Sequence, residues 1–264
     1  TPNPSGCDLN TVMLTRANGG GNGQAPFTMT PGVPMVISMS PTGAYQNNYY
    51  YVNVGATTAT QFSYSTQWRI PAPADLGRYQ AIETDLHAAY TDGWSYTGGV
   101  QFLSARGGGP AVRIYNLQSQ AWQSTGLTMP LTDNNYHSLS YTFSINTSAH
   151  TLLYQTITID GVTTTLNTTV GGNKLNWSPL LNAAVQQDGD SSGDSYTLNV
   201  QGWHVTPVSN PPAGCAAATP TPTPPPNPTP TPQPTPTPSN VIYVATTGSD
   251  SNPGTLQAPL ATIQ

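Results

Sequence analysis

The chain has 264 residues and a formal net charge of −5, and only 6% of its residues are charged, against about 25% in an ordinary soluble domain. Six basic residues are too few for the clustered Lys and Arg that phosphate backbones or anionic membrane surfaces require. No apolar run approaches the ~20 residues of a membrane-spanning helix. The surface must therefore be covered by Thr, Ser, Asn and Gln, which suits a secreted, extracellular protein with a neutral, hydroxyl-rich partner.

Residues 1–6 open on Thr1-Pro2-Asn3-Pro4, which reads as the remnant of a Thr/Pro linker and so as a piece of a longer chain. Cys7 and Cys215 are the only cysteines and flank the region 7–215. In a secreted chain that placement suggests a disulfide tying the ends of one domain, worth about 4–5 kcal/mol in the chain-entropy model. Two buried thiols are the other reading. Between them the pattern is β throughout. Strands are predicted over Tyr49 to Val54, Gln61 to Arg69, Tyr79 to His87, Gly99 to Arg106, Ala111 to Asn116, His137 to Ile145, Thr151 to Asp160, Leu181 to Gln187 and Tyr196 to Val205. Turn residues such as Gly107-Gly108-Gly109-Pro110 and Asp188-Gly189 separate them, and Asp160-Gly161 signals a type I′ hairpin, whose two central residues need positive φ. No stretch holds a 3.6-residue period over three turns. Many short strands in about two hundred residues predict an all-β, two-sheet antiparallel sandwich of jelly-roll type. In His137 to Ile145, alternation places Leu139, Tyr141, Phe143 and Ile145 in the core and Ser138, Ser140, Thr142 and Ser144 outside.

Residues 216–240 form a Thr/Pro-rich run. Proline fixes φ and has no N–H, so such a run is expected to stay extended, solvated and stiff, at about 3.1 Å per residue. Residues 241–264 follow, with Val241 to Val244, a Gly/Asp/Asn/Pro loop, and Ala258 to Gln264. Gly248, Asp250, Asn252, Pro253, Gly254, Pro259 and Thr262-Ile263-Gln264 fall in the order found where right-handed parallel β-helix domains begin. The segment resembles the truncated start of such a pectate-lyase-like domain, which implies a parent enzyme acting on polysaccharide.

The sharpest constellation is Tyr79 to His87. Alternation puts Ile82, Thr84 and Leu86 on one face and Tyr79, Glu83, Asp85 and His87 on the other. Glu83 is the only Glu in the chain. With Gln80 to Leu86, Tyr136 to Tyr141, Leu153 to Val162 and Tyr196 to Thr206, the domain resembles the concanavalin-A-like lectin and glucanase superfamily. Retaining glucanases of that kind carry Glu-x-Asp-x-Glu on one strand. Glu83 and Asp85 match its first two positions, whereas His87 stands in the third, so the carboxyl pair such hydrolysis needs, about 5–5.5 Å apart, is incomplete.

The chain is accordingly read as a non-catalytic polysaccharide-binding module, monomeric within a larger protein. The alternative is a glycoside hydrolase or lyase using Glu83, Asp85 and His87. For a lyase, His87, Tyr79 or Tyr115 would take the proton, and Arg113 or Arg106 would pair with a uronate. The predicted sugar site comprises Tyr79, Glu83, Asp85, His87, Gln101, Arg113 and Tyr115, rimmed by Trp94, Tyr96 and Trp122. Trp94 and Tyr96 are placed in a turn and Trp122 in a polar setting, as stacking platforms for pyranose rings. Trp68 and Trp203 read as core, Trp177 as either, and Tyr49-Tyr50-Tyr51 leaves at least one ring outside. No cofactor is expected. Asp188, Asp190 and Asp194 offer a weak Ca²⁺ alternative, with a solvated turn as the competing reading.

Overall fold

A computed structural model describes residues 7–8, 15–17, 23–129, 131, 133–206 and 242–262. The chain divides into two compact units, Thr1–Thr219 and Pro220–Gln264. In the first, β1 (Cys7–Asp8), β2 (Thr15–Ala17), β3 (Phe27–Thr30), β4 (Met35–Met39), β5 (Asn47–Gly55), β6 (Gln61–Arg69), β7 (Tyr79–Ala89) and β8 (Trp94–Leu103) come first. Then follow β9 (Ala111–Asn116), β10 (Ala121–Ser124), β11 (His137–Asn146), β12 (Thr151–Ile159), β13 (Val162–Gly171), β14 (Asn173–Lys174), β15 (Leu180–Gly189) and β16 (Tyr196–Thr206). One sheet runs β13-β12-β11-β6-β16-β4-β3, with β1 beside β16. The other runs β10-β9-β8-β7-β15-β5-β2, with β14 beside β8. Neighbours in both sheets pair antiparallel, so the expected two-sheet sandwich is what forms.

The two inner faces meet in one aromatic-rich core. Leu139, Tyr141, Phe143 and Ile145 are buried as alternation requires, and Trp68 and Trp203 are fully enclosed. Tyr64 stacks on Tyr141 at 5.2 Å, Phe62 on Phe143 at 5.2 Å, and Phe102 meets Trp68 edge-on at 4.7 Å. Three tyrosines of the first sheet also donate hydrogen bonds across the core to carbonyls of the second. Tyr64 Oη reaches Ala184 O at 2.9 Å, Tyr141 Oη reaches Gly98 O at 2.9 Å, and Tyr154 Oη reaches Gly99 O at 3.0 Å. Burial keeps all three phenols neutral by raising their pKa values. A buried donor must find an acceptor, and these pillars fix the middle of β8 and β15 from below.

The stretch Asp92 to Gly98 is not a turn. The reversal is confined to Thr91-Asp92-Gly93, where the Gly93 amide donates to Tyr90 O at 3.1 Å, Gly93 lies at φ 84° and the Trp94 amide donates to Asp92 Oδ1 at 3.0 Å, so β8 starts at Trp94. Gly98 and Gly99 lie inside the strand because neighbours occupy the space a Cβ would take. Phe143 fills it at Gly98, and Asp85 and Tyr115 fill it at Gly99.

In the second unit, Val244 and Leu260 form a parallel bridge. Asp250 Oδ1 accepts from the amides of Ala261 at 3.0 Å and Thr262 at 2.8 Å, and Asn252 Nδ2 donates to Pro259 O at 2.9 Å. The Gly248 backbone lies so close to Leu260 O that no side chain fits there. Short bridges thus stand where two strands were expected. Residues 1–6, the run 216–240, Val241, Ile263, Gln264 and the expected Cys7–Cys215 bridge lie outside the described residues.

Because a methyl group on Gly98 would sit within the Phe143 ring, Gly98→Ala overpacks the core. It is expected to destabilise the domain by about 1–3 kcal/mol in a urea titration. A loss below about 0.5 kcal/mol would show that the Phe143 ring has room to shift.

Candidate functional site

Register brings the functional side chains together on the face of the second sheet turned away from the core. On β7, Ile82, Thr84 and Leu86 point inward and are fully buried, which leaves Glu83, Asp85 and His87 on the free face. Glu83 pairs with Gln101 on one side and Gln186 on the other, and Gln101 pairs in turn with Arg113. These four strands therefore carry one row of polar side chains, continued by Ser124 at one end and Tyr49 at the other. The neighbouring row reads Trp122, Tyr115, Gly99, Asp85, Ala184 and Tyr51.

The first row is hydrogen-bonded along its length. Arg113 Nε donates to Gln101 Oε1 at 2.8 Å, and Gln101 Nε2 donates to Glu83 Oε1 in a short contact. Gln186 Nε2 donates to Glu83 Oε2 at 2.9 Å and to Asp188 Oδ1 at 2.8 Å. Burial, followed by the nearby charges of Asp188 and Asp85, pushes the Glu83 carboxyl well above the usual carboxylate range. Burial also raises Asp188, to about 6. Glu83 and Asp188 are bridged by the Gln186 amide, and the closeness of the two acids disfavours both ionising together.

His87 is held by Thr97 Oγ1 at Nδ1, 2.8 Å away, and by Tyr49 Oη at Nε2, 2.7 Å away. Burial lowers its pKa to about 4, so the ring is neutral near pH 7. Asn182 accepts from Tyr49 Oη at 3.3 Å and donates to Asn53 at 2.9 Å. Tyr49, Tyr51, His87, Trp177, Leu180 and Asn182 line a hollow of about 560 Å³. The Trp177 ring stands edge-on to His87 at 6.1 Å and is 41% exposed. At the opposite end of the sheet, Tyr115 and Trp122 form a cross-strand pair with ring centroids 5.0 Å apart.

Of the predicted residues, Glu83, Asp85, His87, Gln101, Arg113, Tyr115 and Trp122 share this face. Tyr79, Trp94 and Tyr96 do not. Tyr79 turns into the core against Tyr196 at 5.7 Å, because β7 and β15 slip register between Asp188 and Gly189 and the alternation breaks there. Tyr96 is 1% exposed and packs on Tyr90. Trp94 stacks on His150 at 3.8 Å and packs against the core. Both belong to the inward set of β8. The three aspartates of the Ca²⁺ alternative do not converge either. Asp188 joins the polar row, whereas Arg106 donates to both Asp190 and Asp194 at 2.5 Å, and that pairing also engages the lyase candidate Arg106. No cluster of metal-ligating side chains occurs among the described residues.

Sequence reasoning missed Asn182 and Gln186, and left Tyr49, Tyr51 and Trp177 unassigned. Their signal was the alternation Leu181, Ala183, Val185 against Asn182, Gln186, Asp188 in β15, but the pairing of β15 with β7 bridges about a hundred positions along the chain.

The fold and site define a two-sheet antiparallel sandwich with a polar-floored, aromatic-walled groove. No protein-family model matches the chain, and no curated protein matches it in sequence. Among solved structures it is similar to the cellulose-induced protein Cip1, with 12% identity, TM-score 0.44, and coverage of 76% of this chain and 95% of that one. It is also similar to a CBM2 module of the Lactobacillus casei BL23 phage J-1 evolved Dit protein, with 10% identity, TM-score 0.44, and coverage of 76% and 96%. A third is the alginate lyase Aly36B in complex with alginate trisaccharide, with 12% identity, TM-score 0.44, and coverage of 76% and 98%.

The buried carboxyls make stability depend on pH. Burial, then the charge of Asp188, raises Asp85 from 3.8 to about 7. The folded state therefore holds more protons than the unfolded one, and stability falls as pH rises through that interval. His87 works in the opposite sense, losing stability as pH drops from 6.5 towards 4. Above about pH 6.5 it is largely neutral in both states. Between about pH 6.5 and 8 the melting temperature is thus expected to fall, and Asp85→Asn to flatten that fall. An unchanged slope in the variant would show that Asp85 ionises freely in the fold.

Proposed function

We propose that the sandwich binds carbohydrate along this groove, as a non-catalytic module of a secreted polysaccharide-degrading protein. The observation that carries the reading is the placing of aromatic rings at both ends of a hydrogen-bonded polar floor. Trp122 and Tyr115 stand at one end, and Trp177, Tyr49 and Tyr51 at the other. Pyranose C–H faces stack on such rings while hydroxyls meet polar groups between them. The linker at 216–240 and the β-helix-like segment after it fit a tether to a polysaccharide-active domain.

The geometry gives the catalytic alternative less support. Both Glu83 oxygens accept amide hydrogens, and burial raises its carboxyl well above the usual carboxylate range, so it is a poor nucleophile. His87 occupies the acid/base position as a neutral ring with both nitrogens engaged. A lyase would need Tyr115 as base, yet burial raises that phenol further.

Native electrophoresis of the full chain through gels containing plant, algal and bacterial polysaccharides is expected to show retardation by at least one glycan class. Trp122→Ala and Trp177→Ala should each weaken binding roughly tenfold, as loss of a central aromatic anchor does. Unchanged retardation in both variants would remove the groove from the binding surface.

A further inference from the structure

The floor of the groove has one carboxyl without a hydrogen-bond partner among the described residues. Glu83, Gln101, Gln186, His87 and Asn182 are engaged with one another or with neighbours, as described above. Asp85 is only 6% exposed, yet its carboxyl makes no hydrogen bond among the described residues. Its cross-strand neighbours are Gly99 and Ala184, neither of which has a polar side chain to offer. Gly99 is also what leaves space for the carboxyl. A Cβ there would collide with Asp85 Oδ1 and would lie 3.1 Å from Tyr115 Cβ and 3.5 Å from Trp122 Cη2. The free carboxyl, the Tyr115 stem and the tip of the Trp122 ring thus converge on one point. The carboxyl thus meets solvent in the groove, where the donors of a ligand can take the place of water.

We infer that Asp85 determines which sugar the groove accepts, selecting a unit that presents only hydrogen-bond donors at this point and rejecting uronates. This rests on the carbohydrate reading above and deepens it. Two donor sources fit the chemistry, the vicinal hydroxyls of a neutral sugar and the ammonium of an amino sugar. A carboxylate accepts from two hydroxyls at once, and an ammonium would sit between Asp85 and the face of an aromatic ring. A uronate carboxylate would meet the acidic side chain of Asp85, with Asp188 further along the same floor. Arg113 is the one guanidinium on that face among the described residues, and it is already engaged by Gln101.

The test uses the full chain in gels containing a neutral glucan, xylan or galactan, a partly deacetylated chitin, and polygalacturonate or alginate. Retardation is expected in neutral or amino-sugar gels and not in uronate gels. Added salt separates the two donor sources, since it weakens an ammonium contact and leaves hydroxyl binding unchanged. Asp85→Ala should lose at least tenfold in affinity for the retarding glycan while melting cooperatively. Asp85→Asn, close to isosteric, serves as the second variant and should admit uronates. Uronate retardation equal to that by neutral glycans, or undiminished binding by Asp85→Ala, overturns the inference and leaves the carbohydrate reading standing. Absence of retardation in every gel overturns the carbohydrate reading itself, and this inference with it.

Discussion

Removing a carboxyl from water is costly unless its oxygens find donors or it keeps its proton, and Glu83, at 7% exposure in the middle of a sheet, does both. Gln101 and Gln186 each give it an amide hydrogen from the adjoining strands. Burial and the nearby Asp188, the third carboxyl of the floor, raise its pKa and favour the neutral form. Arg113 then orients Gln101 from one strand further out. One buried acid therefore dictates the side chains at matching register on β8, β9 and β15. The result is a floor whose amides and imidazole are satisfied before any ligand arrives.

That saturation shapes what the groove can do. Hydrogen-bonding groups already committed to one another lend a ligand a rigid surface more than new bonds. On the proposed carbohydrate reading, recognition falls instead to the aromatic rings at the two ends and to Asp85, which lies between two residues without polar side chains. The tyrosine hydroxyls from the first sheet brace the same region from beneath, because Tyr64 bonds Ala184 and Tyr154 bonds Gly99. These are the two residues that flank Asp85 across the sheet. Chemistry, in contrast, requires a group that can change protonation state and reach a reacting atom. Glu83 and His87 are pinned by hydrogen bonds on both sides, and burial keeps the His87 ring neutral near pH 7.

The architecture was legible from period-two alternation. Leu139, Tyr141, Phe143 and Ile145 went inward, Glu83, Asp85 and His87 went outward, and Asp160-Gly161 turned the β12–β13 hairpin. Alternation works within a strand because successive side chains must point to opposite faces. It fails wherever a bulge or a strand boundary resets the count. Tyr79 was lost to a register slip. Trp94 and Tyr96 were lost because Asp92 to Gly98, rich in Gly and Thr, looked like a turn, when Gly98 instead sits in the strand and makes room for Phe143. The contribution of β15 and β5 was illegible for a different reason. Gln186 and Asn182 become site residues only through pairing with Glu83 and His87 about a hundred positions away, and local pattern carries no information on which strands will be neighbours.

The central claim is that one face of one sheet holds the ligand. Amide chemical-shift mapping of the isotope-labelled full chain, titrated with an oligosaccharide of the glycan that retards it best, tests this most directly. The account predicts perturbations at Asn47 to Asn53, Glu83 to His87, Thr97 to Gln101, Arg113 to Tyr115 and Asn182 to Asp188, with Trp122 and Trp177 indole shifts accompanying them. Perturbations gathered instead on the Ser- and Thr-lined outer face of β11, β12 and β13, with the groove silent, would contradict it.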